Sequence, residues 1–201
     1  EMAGLLAEAP VVTFEDLGAG ARLADLTVNA LYPGVGLTGP KWADLRPEFV
    51  GLPEYELRDT QRILVMFGGT DPAGLGTWVS KIFPDATWVK PGDNVSVAAE
   101  MRAHDLLITS AGRTVYEAAA VGTPTIVLAQ NLRETTHSHL GVGNIYLGLG
   151  ALCEYEHLTR TVASLFQSSD LRQEMSDTGR ASVDGRGVER IVHAVEGLWL
   201  N

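Results

Sequence analysis

Between the apolar run Leu106 to Thr109 and a stretch of helical period that begins at Thr114, the chain carries three small residues in succession, Ser110-Ala111-Gly112. A strand that turns directly into a helix through such residues leaves the N–H groups of the first helical turn unpaired, with no bulky side chain between them and a ligand. The chemistry this suits is anion binding. Gly112 and the amides of Arg113 and Thr114 form the cradle; the helix dipole adds ~0.3–1 kcal/mol and each charge-assisted hydrogen bond ~1.5–3 kcal/mol. Glu117, one turn further in, would be repelled by phosphate and suits a neutral neighbour, such as a pair of ribose hydroxyls. On spacing alone two readings stand: this site, or a plain turn at Ser110-Ala-Gly with Glu117 a solvated helix residue.

A second glycine turn, Gly68-Gly69-Thr70-Asp71-Pro72, follows the apolar run Ile63 to Phe67 and also precedes a helix. Two such turns at the carboxyl ends of parallel strands face one crevice, where ligands of open α/β sheets collect. Neither is a Walker loop or a dinucleotide fingerprint; Gly18-Ala-Gly20 and Gly141-Val-Gly143 come nearest and do not support NAD. No Cys/His cluster has metal-ligand spacing, and His137 and His139, at i and i+2, would diverge on a helix. The reading assigns no metal and no cofactor. Arg113 has two open fates, a bidentate phosphate contact or an ion pair with Glu117.

Those turns need strands and helices to hold them. Strands are expected at Val11 to Phe14, Leu26 to Leu31, Ile63 to Phe67, Ala86 to Val89, Leu106 to Thr109, Thr125 to Ala129 and, more weakly, Ala151 to Glu154. Ile63-Leu-Val-Met-Phe67 and Thr125-Ile-Val-Leu-Ala129 are continuously apolar, as buried parallel strands are. Helices are expected at the first residues, at Leu75 to Phe83, at Val95 to His104 and at Thr114 to Val121, the last closed by Gly122 with Pro124 beyond it. Asp170 with Gln173 resembles a capping box. Val188, Ile191, Val192, Val195 and Leu198 form one apolar stripe expected to lie against the core. The alternation predicts an α/β fold, a parallel Rossmann-like sheet with helices on both faces. The Gly- and Pro-dense text from Pro33 to Pro53 marks a boundary, with two strands before it and a full α/β unit after it.

Composition narrows the partners. Fifteen Lys and Arg against twenty-five Asp and Glu give a net charge of −10, the wrong sign for a broad nucleic-acid surface. It does not exclude a small anion bound by local backbone amides. No apolar run is long enough to cross a bilayer, residues Glu1 to Glu8 lack the basic start of a signal peptide, and the single cysteine, Cys153, fits a reducing cytoplasmic setting. The start without Met, inside an expected helix, suggests an excised piece of a longer protein.

Phe67-Gly-Gly-Thr-Asp-Pro72, Ser110-Ala-Gly-Arg-Thr-Val-Tyr-Glu117, Gly122-Thr-Pro124 and Ala129-Gln-Asn131, in this order, resemble the C-terminal half of two-domain GT-B nucleotide-sugar enzymes. The nearest likeness is to the UDP-sugar hydrolase of the pseudaminic-acid pathway and its spore-coat-polysaccharide relatives; a more distant one is to the peptidoglycan N-acetylglucosaminyltransferase. Gly39-Pro-Lys-Trp-Ala-Asp-Leu-Arg-Pro-Glu-Phe49 and Asp184-Gly-Arg-Gly-Val-Glu-Arg190 extend it over nearly the whole chain. The resemblance implies residues 1–45 as the last strands of an N-terminal Rossmann-like domain with the hinge, and 46–201 as the nucleotide-sugar-binding domain. It implies that Ser110, Ala111 and Gly112 hold the phosphates, that Glu117 takes the ribose, and that Gly68 and Gly69 flank the diphosphate. Asn94 and Val95 would offer backbone to the base, and Gln130 and Asn131 would approach the sugar. The implied ligand is a UDP-sugar, and the implied roles are hydrolase or transferase in surface polysaccharide or nonulosonic acid synthesis. A non-catalytic nucleotide-binding or assembly module is the alternative, with the N-terminal domain or a partner chain supplying the chemistry. The histidine that steers the hydrolase reaction lies on an N-terminal loop with no counterpart here, and the strand edges left open favour a homodimer.

Overall fold

Apolar runs too short for helices pair into two parallel sheets, and the intervening segments of helical period cover them. The structure, a computed structural model, describes residues 9–58 and 60–199; the helix expected at the first residues lies outside them. The first sheet has the order β1-β2-β3, with β1 Val12–Phe14, β2 Leu26–Asn29 and β3 Leu37–Thr38. The second has the order β5-β4-β6-β7-β8, from β4 Ile63–Met66, β5 Thr87–Trp88, β6 Leu106–Thr109, β7 Thr125–Ala129 and β8 Asn144–Leu149. All the recorded pairings in both sheets are parallel. The helices are α1 Leu75–Ile82, α2 Val97–Ala103, α3 Thr114–Val121, α4 Tyr155–Gln167, α5 Ser169–Ser182 and α6 Gly187–Gly197.

Alternation along the buried strands splits the core in two, as the two-residue period of a strand requires. Leu64, Met66, Leu107 and Val127 face α3, while Ile63, Val65, Leu106, Ile108 and Ile126 face α1, α4 and α5. Ala30, Leu31 and Tyr32, just past β2, join the α3 side of the core together with Ala43, Leu45 and Phe49 of the connector, the stretch between β3 and β4. The first sheet is thereby packed onto the second through shared apolar burial. The chain leaves β4 in one direction to β5 and then crosses back to β6, so the strand order switches between β4 and β6. At such a switch the following loops part and leave a crevice at the carboxyl ends.

Several expectations change. Ala151 to Glu154 is not a strand: the sheet's edge is β8, upstream, and Gly150–Leu152 is a 3-10 turn. The pairing Val127↔Tyr146 followed by Ala129↔Leu149 places one extra residue in β8, which is a bulge, and Gly148 sits there at φ 81°. The strand accommodates a glycine that reads in sequence as a breaker. A third strand, β3, lies inside the Gly- and Pro-dense stretch. The α5 cap is Ser168, whose Oγ accepts from Leu171 N at 3.2 Å, rather than Asp170; Gln173 bonds Asp177 instead. On α6 Ile191 is buried, but Val188 and Val192 are exposed, so the stripe only partly meets the core.

Candidate functional site

The corner after β6 meets the terms set by its residue types. Arg113 is the α3 N-cap in helical conformation (φ −59°, ψ −27°), and no side chain caps the helix. Among the described residues the amides of Gly112, Arg113 and Thr114 have no hydrogen-bond partner. The Ala111 amide differs: it donates to Glu134 Oε2 at 3.2 Å, and the same oxygen accepts from Gln130 N at 2.8 Å. A Cβ built on Gly112 would meet only Ser110 Oγ, at 3.7 Å, so no other group crowds Gly112.

The turn after β4 is built otherwise. Asp71 accepts from Leu75 N at 3.0 Å and from Gly76 N at 2.8 Å, so α1 carries its own anion on its first two amides. Gly68 stands at φ 74°, a conformation that side chains resist, with a virtual Cβ 4.0 Å from Ser110 Oγ. The two turns are therefore neighbours across the β4/β6 switch.

Beside them lies a cleft of about 260 Å³. Gly68, Gly69, Thr114 and Glu117 form one wall, Arg46 closes the connector side, and Val89 to Asp93 with Val95 form the far wall. Asn94, Thr70, Ser110, Ala111, Gly112, Arg113, Gln130 and Asn131 do not line this cleft. Gln130 Nε2 is committed to Phe67 O at 3.2 Å and Thr70 O at 3.3 Å, and Asn131 Oδ1 accepts from Glu134 N at 3.1 Å. Both side chains tie loops together.

Glu117 is mostly buried and its carboxyl is pushed above the usual range by that burial; Arg46, with Nη2 at 3.3 Å, pulls the other way. Arg113 does not pair with Glu117, one of the two fates the sequence left open for it. Its guanidinium pairs with Asp44 of the connector and, at 3.5 Å, with Glu15 just past β1. Glu15 is the only non-glycine among the described residues with positive φ (49°), and its carboxylate also accepts from Leu31 N. Sequence reasoning gave no role to Arg46, Asp44, Glu15 or Glu134. Arg46 and Asp44 lie in a quoted motif; Glu15 and Glu134 carry no local signal, because their partners are distant in the chain. Among the described residues no three His, Cys, Asp or Glu side chains cluster as metal ligands, and no helix is long and apolar enough to cross a membrane.

No protein-family profile matches the chain. The parallel sheets with their covering helices make an α/β Rossmann-like fold, the fold of the GT-B glycosyltransferases the chain superposes on. The spore coat polysaccharide biosynthesis protein SpsG of Bacillus subtilis is 27% identical over an alignment 243 positions long, gaps included, that covers 96% of this chain and 70% of SpsG. Among solved structures, MurG of Acinetobacter baumannii superposes with a TM-score of 0.71 at 15% identity, over 98% of this chain and 69% of MurG. The glycotransferase of kitacinnamycin gives 0.57 at 15% identity, over 90% of this chain and 56% of its own length.

Proposed function

We propose that this chain binds a nucleoside-diphosphate sugar, with UDP as the nucleotide, as the donor-binding half of a hydrolase or glycosyltransferase of surface polysaccharide or nonulosonic acid synthesis. The observation that carries the reading is the set of unpartnered Gly112, Arg113 and Thr114 amides at the open end of α3, beside a cleft that contains Glu117. The diphosphate lies on the amides, the ribose hydroxyls on Glu117, and the base between Arg46 and the Val89 to Val95 loop. The sugar then points past Gly68 and Gly69 toward Gln130 and Asn131. Residues 1–45 belong to a second Rossmann-like unit that faces the sugar, and residues 46–201 form the donor unit.

Catalysis in this arrangement is leaving-group stabilisation. Fixed amides take the charge that develops on the diphosphate as the anomeric bond breaks, which costs no reorganisation at that moment. Arg113 stands at the corner and can exchange Glu15 or Asp44 for a phosphate oxygen. The similarity to SpsG supports the polysaccharide context.

Calorimetric titration with UDP, CDP, GDP, inorganic pyrophosphate and NADH tests the reading. UDP is expected to bind and NADH is not. Binding of NADH but not of any diphosphate removes the proposal.

A further inference from the structure

No side chain of the Ser110-Ala-Gly corner caps the helix that follows, so its backbone is held from elsewhere. Both backbone groups of Ala111 are held by a single loop. Its N–H donates to Glu134 Oε2, and its C=O accepts from His137 Nδ1. A carbonyl can only accept, which assigns the proton to Nδ1 and leaves Nε2 as the acceptor for the Tyr32 hydroxyl at 3.1 Å. Tyr32 Oη in turn accepts from Arg133 Nε at 2.6 Å, and the Arg133 guanidinium lies over the Tyr32 ring. The loop carrying these groups is braced from within, with Glu134 N on Asn131 Oδ1 and Thr136 Oγ1 on Arg133 O.

The position of Glu134 is specific. β6 and β7 are adjacent strands whose ladder ends at Thr109↔Val127. Past that point the strands separate, one to the corner and one to the Gln130 loop. Glu134 Oε2 bridges two amides beyond the ladder, Ala111 N and Gln130 N, and so ties the diverging ends together. Gln130 carries the lacing on to β4 through Phe67 O and Thr70 O.

We propose that Glu134 and His137 are positioning residues: by clasping Ala111 on both backbone groups they hold the Gly112, Arg113 and Thr114 amides in the geometry that receives a diphosphate. The inference rests on the diphosphate reading above. It makes no use of a direct contact between either side chain and the ligand.

UDP, inorganic pyrophosphate and uridine are titrated into the wild-type chain and into Glu134→Ala, Glu134→Gln, His137→Ala and His137→Asn, with hydrogen exchange measured on each ligand-free protein. Loss of a charge-assisted bond predicts about tenfold weaker UDP and pyrophosphate binding in E134A, and loss of a neutral one about threefold in H137A. Uridine, which has no phosphate, is expected to bind as before. Gln keeps an acceptor for both amides, and Asn places an N–H where Nδ1 stands, so E134Q and H137N are expected to recover most of the affinity. Exchange at residues 111–114 is expected to quicken in E134A with protection elsewhere unchanged. Unchanged or tighter UDP binding in E134A, or an equal loss of uridine, overturns the proposal; tighter binding marks the carboxylate as a competitor for the anion. If the wild-type chain binds neither UDP nor pyrophosphate, the diphosphate reading falls, and the exchange data still decide whether the clasp exists.

Discussion

Arg46 Nη2 lies 3.3 Å from Glu117 Oε1, joining the connector to the first turn of α3 across seventy-one residues of chain. Alongside it Asp44 pairs with Arg113. On the connector the acid precedes the base by two residues, and on the helix the base precedes the acid by four. The two pairs thus fix one register of connector on helix, and they place a cation and a half-shielded carboxylate at the mouth of the cleft. A ligand entering there meets charges already oriented, although the chain as a whole carries −10.

Glu117→Ala is expected to weaken UDP by about tenfold, the worth of hydrogen bonds to a charged acceptor, while leaving pyrophosphate almost unaffected. Paired titrations of the two ligands check this. An equal loss for both would take the ribose away from Glu117.

The raised Glu117 carboxyl gives that contact a pH signature. Burial, the largest cause, makes the native state hold this proton more tightly than the unfolded chain does. The stabilising share of the protonated group is complete below the ordinary carboxyl value and is lost as pH rises through the raised native value. Ribose binding runs the other way, because only the ionised form accepts from both hydroxyls. UDP affinity is therefore expected to fall as pH drops through a point above the 4.5 of an ordinary glutamate, and Glu117→Gln to flatten that limb. A wild-type affinity profile that stays flat down to pH 4.5 contradicts it.

Gly112→Val is expected to weaken UDP and pyrophosphate together. The added Cβ meets only Ser110 Oγ at 3.7 Å, so the fold tolerates it, but the branched side chain stands in the space before the Arg113 and Thr114 amides. An unchanged melting temperature with both affinities reduced is the outcome that matches; full pyrophosphate affinity would move the anion elsewhere.

The central strands and the corner were legible because they are local patterns: continuous apolar runs at β4 and β7, small residues before Thr114, and glycine after Val121. What escaped depends on other parts of the chain. β8 tolerates Gly148 because the bulge is paired against β7, and α6 leaves Val188 and Val192 exposed because only one edge of its stripe reaches the connector. Glu134 and Glu15 act through partners 23 and 16 residues away, Ala111 and Leu31, and no spacing rule on a helix or strand reaches that far. The Arg113 pairing followed the same logic: Glu117, its neighbour in sequence, was already taken by Arg46.

Gly122→Ala tests the stop of α3. Gly122 stands at φ 91°, its N–H returning to Ala118 O and Ala119 O, and a Cβ would lie 2.6 Å from Ser176 Oγ on α5. Left-handed strain costs roughly 1–3 kcal/mol, and the contact with α5 adds to it. Denaturant unfolding is expected to show a loss of at least about 1 kcal/mol with an unchanged slope. A neutral result would mean that α3 and α5 separate without cost.

Asp184 sets the acid limit of the α6 attachment. Its carboxylate accepts from Arg190 Nη1 at 2.8 Å and from Arg186 N at 3.0 Å, and Arg190 also reaches Lys41 O at 3.1 Å. The Arg190 hydrogen bonds, ahead of all other causes, pull the Asp184 carboxyl down to about 2. A depressed native value means that the stabilisation is present above the unfolded aspartate range and is lost as pH falls from about 4 towards about 2. The side chains are well exposed, so screening limits the pair to roughly 1 kcal/mol or less. Asp184→Asn is therefore expected to lower the melting temperature slightly at pH 7, where the wild-type pair is charged, and to match wild type near pH 2. Gly187 packs closely on the Ala43 backbone, beside the same contact between α6 and the connector. An Asn variant that stays below wild type by the same margin at both pH values would show that shape, not charge, holds the helix there.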